Sequence, residues 1–339
     1  MEIRKVQITG GSSFVITLPK EWAKANHLKK NDPLGLISQP DGTLLLTAKI
    51  TGDQTQRTKV FDLKDIPDKD FLIRLLVGAY IEGYNVIKLQ LKGQTSPDVR
   101  TVVREFTHLT IGQEVVEETS NTITIKDLLN PAEMPLDKTI RRMYIIAKSM
   151  HEDALTSLLT GDLNLAEEIK RRDTELDRLH WLISRQYNLI LHNVNLTEKF
   201  GVTIDVANTY YMISRTMERI GDHAERIAKY VTVLADKKVN PTILQKIKVA
   251  SGLSLEILTK SMESLFKNDI VGSNQSFTSL ETLEVQCEEI NTLALKHKGV
   301  IAIAVGYIVE SIRRVGEYSI NISEMVINHI ITDEEHPSR

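Results

Sequence analysis

One cysteine, Cys287, stands in 339 residues. It excludes an intramolecular disulfide and a cysteine-based zinc site, and it fits a reducing compartment. Long apolar runs are missing too. The nearest to a membrane span, Gly299 to Val309, is about 10 residues long against the ~18 a span requires. The opening MEIRKVQITGG lacks the apolar core of a secretion signal. The chain is therefore expected in the cytoplasm and not across a membrane. Neither sign of charge dominates: 42 Lys and Arg face 45 Asp and Glu, a formal net charge of −3. Such a balance neither demands nor excludes nucleic acid, so the distribution along the chain has to decide. Gly10-Gly11-Ser12-Ser13 lacks the Lys-Ser/Thr and the long helix of a phosphate loop, and reads as a turn. No nucleophile–base constellation is present, which argues against an enzyme.

What is present has three textures, and the length suits two or three domains. Residues 1–50 read as short strands and turns. Val6 to Ile8 and Phe14 to Leu18 are strands around the Gly-Ser turn, Pro19 stops the second, and Lys20 to Asn26 forms two helical turns. Leu34 to Ser38 and Thr43 to Thr47 are paired across Asp41-Gly42. Residues 55–130 follow a βαβαββ order and make a small α/β module to which the sequence assigns no role. Its first helix, Asp70 to Glu82, carries Phe71, Leu72, Leu75, Leu76 and Ala79 on one side. Asn130-Pro131 and Pro135 mark a boundary.

From Leu136 onward the pattern is helical and repeats. Ile140, Met143, Ala147, Met150, Ala154 and Leu158 form one apolar stripe. Leu165, Ile169, Leu176, Leu179 and Ile183 form a second, and Ile213, Met217, Ile220, Ala224 and Ile227 a third. The same order returns after Asn240-Pro241, with Arg219-Ile220-Gly221-Asp222 echoed by Arg314-Val315-Gly316-Glu317. Two three-helix units, 136–235 and 240–332, are the economical reading. The fold class expected is mainly α.

Carboxylates four apart on a helix repel by about 0.2–0.5 kcal/mol and point the same way. Asp173/Asp177 and Glu218/Asp222 in the first unit, and Glu284/Glu288 with Glu317 in the second, form such sets. Two adjacent helices so equipped can offer several oxygens to a hard cation. The competing reading is ordinary surface pairing with Arg215, Arg219, Arg226 and Lys170. Gly221 and Gly316, each costing about 1 kcal/mol inside a helix, call for a close helix–helix approach. His180 and His223 lie near the acids but are expected at the surface or at helix caps, and Trp22 and Trp181 are expected to pack.

The segment Met217-Glu218-Arg219-Ile220-Gly221-Asp222-His223-Ala224-Glu225-Arg226-Ile227-Ala228 resembles the signature of PhoU-type phosphate-signalling proteins. That resemblance implies two three-helix repeats and E/D-x-x-x-D motifs that bind metal ions (iron, zinc, manganese or magnesium). Carried over by position, the ligands are Asp173, Asp177, Glu218, Asp222, Glu284, Glu288 and Glu317. Arg313 departs from the pattern, standing where a motif acid belongs, so the second site is expected to bind less well.

Gly11-Ser12-Ser13-Phe14-Val15-Ile16-Thr17-Leu18-Pro19-Lys20, with the short helix and Leu34 to Thr47, is similar to AbrB/MazE-type swapped-hairpin domains. This implies a homodimer that grips DNA. Residues 1–30 carry six Lys and Arg against two Glu in an acidic chain, an independent sign of a nucleic-acid face. Relatives often have an arginine just before the proline, whereas this strand reads Val15-Ile16-Thr17-Leu18. Contact would then rest on Arg4, Lys5, Ser12, Ser13, Lys20 and Lys24. Together the resemblances imply a non-enzymatic regulator of phosphate uptake that restrains a phosphate ABC transporter or its genes. The alternatives are an AbrB-type transcription factor whose helices only sense or oligomerise, and a metal-dependent phosphohydrolase.

Overall fold

The computed structural model describes residues 2–38, 42–48, 57–63, 68–91, 97–130, 133–193, 195–297 and 299–335. Asp41 of the expected Asp41-Gly42 turn, Pro131 of the expected boundary, and residues 49–56 at the end of the first segment lie outside them. The chain forms two compact units, Met1–Thr55 and Gln56–Arg339.

In the first unit β1 (Gln7–Thr9) pairs antiparallel with β2 (Ser13–Val15), Ile8 opposite Phe14. Gly10 and Gly11 make the turn at φ 65° and 90°, values that glycine adopts without a Cβ penalty. The second strand is shorter than the apolar run Phe14 to Leu18, because Pro19 already begins the approach to α1 (Lys20–Ala25). A second hairpin joins β3 (Gly35–Ser38) to β4 (Leu44–Thr47). None of the described residues here is buried. Ile8, Phe14 and Leu36 stay 67%, 78% and 63% exposed, so a single copy of the unit has no core.

The second unit opens with the α/β module: β5 (Thr58–Asp62), α2 (Lys69–Ile81), β6 (Val86–Gln90), α3 (Pro97–Leu109), β7 (Gln113–Glu118) and β8 (Thr122–Asp127). The sheet order is β5-β6-β8-β7, with β5 and β6 parallel and the other pairs antiparallel. Ile87, Leu89, Ile123 and Ile125 face Leu72, Leu76, Tyr80 and Phe106 of the helices in one core. On α2 the expected Leu72, Leu76 and Ala79 are buried and Leu75 is half-buried. Phe71 is 40% exposed, while Tyr80, not included in the apolar stripe, is fully buried. Asp68 caps this helix by accepting from the Phe71 amide, which starts it a residue before Asp70.

Six long helices follow: α4 (Leu136–Thr160), α5 (Leu163–His192), α7 (Ile204–Leu234), α8 (Pro241–Lys267), α9 (Ile270–Ala294) and α10 (Val300–Glu335). A five-residue helix, α6 (Leu196–Phe200), interrupts the α5–α7 connection and was not expected from the pattern. Asp162, Thr203, Asn240 and Asp269 cap α5, α7, α8 and α9, each accepting from amides of the first turn. All three expected stripes are buried except at Leu165, which is half-buried near the start of α5. Helix α7 packs on α4, α5 and α10, and α10 in turn on α8 and α9, so the two three-helix sets share one continuous core. Among the described residues no helix is long and apolar enough to cross a membrane.

Candidate functional site

The acids of the first three-helix set come together. Asp173 and Asp177 project from α5 and Glu218 and Asp222 from α7, where the helices lie very close. Gly221 permits this: a Cβ there would collide with Leu176 Cδ1 and would lie 3.3 Å from Asp173 Oδ1. Burial and mutual repulsion act together on the carboxyls. Asp173 is pushed up to about 7, first by burial, then by Asp177, Asp222, Glu225 and Glu218. Asp177 rises to about 6 through burial, Asp222 and Glu225. Glu218 rises to about 7 through burial, Asp222 and Asp177, against a lowering by Arg219 and Arg215. Asp222 is raised by burial and Glu225 despite Arg226 and Arg219.

The surface-pairing alternative can be tested on this geometry. Among the described residues none of the four acids closes an ion pair, although Arg215, Arg219 and Arg226 lie near enough to be felt. Glu225 belongs to the same set and was missed. Its spacing, seven after Glu218 and three after Asp222, was legible as one more position on the same helix face. As placed, no three His, Cys, Asp or Glu side chains among the described residues gather tightly enough to hold an ion. The donor set is nonetheless all oxygen, partly buried and mutually repelling, the chemistry that suits a hard cation.

The second set differs. Gly316 again admits a close neighbour, Leu283 of α9. Here Arg313 bridges Glu317 and Glu310, the latter at 2.8 Å, and Arg314 reaches both glutamates at 2.9 Å. Two guanidinium groups already neutralise Glu310 and Glu317. Of the seven carried-over ligands, Glu284 and Glu288 sit on α9 and Glu317 is engaged by arginine.

The histidines correct an expectation. His180 is half-buried beside Ser214, Nδ1 to Oγ 2.9 Å, and stacks on Tyr211. His223 is 7% exposed and packs on Tyr318 of α10. Both are held down to about 4, mainly by burial. They are interior, neutral groups, neither surface residues nor caps. A third, His151, is fully buried and joins α4 to α8 through Nε2 and Ser251 Oγ at 2.8 Å.

Sequence reasoning also missed how the α/β module is attached. Arg185 of α5 has a side chain 2% exposed and bridges Asp127 of β8 at 2.6 Å. Its guanidinium also donates to the Tyr80 carbonyl and lies over the Tyr80 ring. Asn188 donates to the Ile81 carbonyl at 2.9 Å, and Trp181 packs on the module core. The one helix therefore carries Asp173 and Asp177 in its first half and the module in its second. The available signal was that Arg185 is the one Asp, Glu, Lys or Arg between Leu179 and His192, in the otherwise uncharged second half of α5.

In the first unit, Lys20 and Lys24 lie four apart on α1, facing one way, and are exposed. Ser12 and Ser13 lie at the β1–β2 turn; Arg4, Lys5, Lys20 and Lys24 are all exposed, and Arg4 pairs with Glu2. Trp22 on the same helix is half-buried.

Residues 140–231 match the family model of the PhoU domain. That match covers 92 of the 339 residues, from α4 to α7. Residues 7–53 match the model of the antidote-toxin recognition protein MazE, a bacterial antitoxin. A phosphate-specific transport system accessory protein PhoU homolog from Caulobacter vibrioides is 32% identical over 98 residues, 28% of this chain and 39% of the relative. The E3 ubiquitin-protein ligase TOM1 of Saccharomyces cerevisiae is 21% identical over 206 residues, which is 59% of this chain but 6% of that protein. The chain thus spans well under half the length of these curated relatives. Among solved structures, PhoU from Pseudomonas aeruginosa superposes at TM-score 0.50 with 15% identity, covering 58% of this chain and 95% of that one. The phosphate transport system regulatory protein PhoU from Streptococcus pneumoniae gives 0.51 with 16% identity, covering 58% and 93%. These likenesses are of fold. The family-model match ends before α8, so α10, where arginines bridge Glu310 and Glu317, lies beyond it.

Proposed function

We propose that the chain is a non-enzymatic accessory regulator of phosphate transport, whose PhoU domain binds metal and restrains a phosphate transporter or its genes. The observation that carries this reading is the unneutralised acid cluster on α5 and α7, within the segment that matches the PhoU domain. Asp173, Asp177, Glu218 and Asp222 would hold the ion, with Glu225 beside them. A bound cation supplies positive charge that offsets their mutual repulsion, and side-chain rotation would draw the oxygens inward. The chain's own contribution is the close α5–α7 approach at Gly221. The second set is proposed to bind metal poorly, because Arg313 and Arg314 already engage Glu317. The identity of the metal is left among iron, zinc, manganese and magnesium.

A second reading has its own observation. The first unit matches the MazE model and exposes Ile8, Phe14 and Leu36, as a hairpin completed by a second copy would. In that reading the chain is a cytoplasmic, dimeric DNA-binding regulator and the helices sense or oligomerise. Co-purification from native cells grown with and without phosphate separates the two. Transporter subunits on the tagged chain support the first reading, and promoter DNA alone supports the second.

A further inference from the structure

Two contacts fix how the three-helix sets align. Asp162 caps α5 as Asp269 caps α9, and Leu176 meets Gly221 as Leu283 meets Gly316. Both matches set the same register. In it Asp177 and Asp222 correspond to Glu284 and Glu317. Asp173 corresponds to Leu280, which lies 3.4 Å from a Cβ at Gly316, as Asp173 Oδ1 lies 3.3 Å from one at Gly221. Glu225 corresponds to Ile320, and Glu288 falls at the level of Trp181, a turn beyond the acids. On the facing helices one acid and one base are exchanged. Helix α7 reads Arg215 then Glu218, whereas α10 reads Glu310 then Arg313 at the same two positions, and Arg219 coincides with Arg314. The exchange conserves charge but moves the cation. Among the described residues no arginine of α7 closes an ion pair with the acids, while Arg313 bridges Glu310 and Glu317. The charges of Arg313, Glu310, Glu284 and Glu317 all reach the Cys287 thiol, so these groups lie around one position on α9. Burial raises Glu310, yet hydrogen bonds and charge from Arg313 and Arg314 hold it below the usual carboxylate range. In the first set burial and neighbouring acids push Asp173 and Glu218 up to about 7.

We propose that Arg313 is a tethered cation, taking in the second set the place that the first set leaves to a metal ion, so that α8 to α10 keep their charge balance with no metal bound. A guanidinium stays charged at every physiological pH, and a covalently held one cannot dissociate. The second set does not fit a hard cation: the Asp173 position is apolar, the Glu218 position is positive and Glu317 is already bridged. One half of the helical unit therefore responds to metal and the other half is indifferent to it. The proposal rests on the reading of the α5 and α7 acids as an ion site, and its test separates the two.

The test exchanges the two residues and leaves the net charge untouched. The parent is the full chain with Asp177→Asn and Asp222→Asn, which silence the first set. Adding Glu310→Arg with Arg313→Glu should tighten Mn²⁺ binding at least tenfold over that parent, read from the paramagnetic resonance of free Mn²⁺, and should make melting rise with Mn²⁺. The reverse exchange in the otherwise unaltered chain, Arg215→Glu with Glu218→Arg, should raise the metal-free melting temperature at pH 8 and remove the Mn²⁺ response. A folded second-set exchange that binds Mn²⁺ no better than its parent overturns the proposal. A reverse exchange that melts no higher than wild type overturns it too, and decides the matter even where the first variant fails to fold. A wild type indifferent to Mn²⁺ beside a second-set exchange that binds it ends the ion-site reading of α5 and α7 while upholding the role of Arg313.

Discussion

Asp173 and Glu218 have carboxyls pushed up to about 7 against ordinary values near 4, because folding buries them among other acids. The folded state therefore holds protons that the unfolded chain has released between about pH 4 and 7. Their contribution to stability is fully present below the unfolded pKa and is lost as pH rises through the folded one. The metal-free protein should thus melt progressively lower from pH 5 to pH 8. An added divalent or ferric ion, binding the deprotonated cluster, should recover more of that loss at pH 8 than at pH 5. Asp173→Asn should stabilise the metal-free protein at pH 8 by about 1 kcal/mol, a figure discounted for the partial solvent screening of a half-buried group. It should also abolish the response to metal. Asp177→Asn with Asp222→Asn should remove most retained metal and Glu288→Gln little. Calorimetry across pH with elemental analysis reads all of this, and a wild type that neither retains metal nor melts higher with Mn²⁺, Fe³⁺, Zn²⁺ or Mg²⁺ refutes the ion-site reading.

Helix α5 is the element on which the second unit turns, because it bears acids in one half and the docking of the α/β module in the other. The buried pair Arg185–Asp127 anchors that docking, with Arg185 held further by the Tyr80 carbonyl and ring. Removing one partner leaves a charge buried without its counter-charge, which costs about 3–5 kcal/mol. Asp127→Asn should therefore destabilise the protein by about 3 kcal/mol in denaturant titration. Hydrogen exchange should quicken in β5 to β8 and at the C-terminal half of α5 more than in α8 to α10. Uniform quickening, or none, would show that the pair does not couple module to helix.

At the scale of the whole molecule, a first unit with no buried residue among its described ones is expected to take its core from a second copy. Deleting Met1 to Thr47 should halve the mass measured by light scattering. An unchanged mass would remove dimerisation from this unit. Binding of DNA, where present, should be mostly electrostatic and steeply salt-dependent, since the candidate contacts are cations. Lys20→Glu with Lys24→Glu should abolish it in a low-salt mobility shift, and equal affinity of variant and wild type would end the DNA reading.

Local rules in the sequence determined the elements. Apolar spacing of three and four placed the six long helices and their buried stripes, Pro and Gly marked the hairpins of the first unit, and the echo of Arg219-Ile220-Gly221-Asp222 at Arg314 to Glu317 disclosed the repeat. The four first-repeat acids were legible because an i,i+4 spacing on one helix fixes a common direction before any tertiary contact forms. What lay between helices was decided only by packing. Phe71, expected inside, stays exposed and Tyr80, outside the expected stripe, is buried, because the sheet and α5, not the periodicity of α2 alone, choose which side is covered. His180 and His223 became interior because Tyr211 and Tyr318 arrive from positions far along the chain or on another helix. Whether an acid is neutralised depends likewise on where arginine side chains end up. At α7 three arginines stop short of the cluster, while at α10 two arginines complete it, since Arg313 lies four residues before Glu317 on the same face and bridges within its own helix.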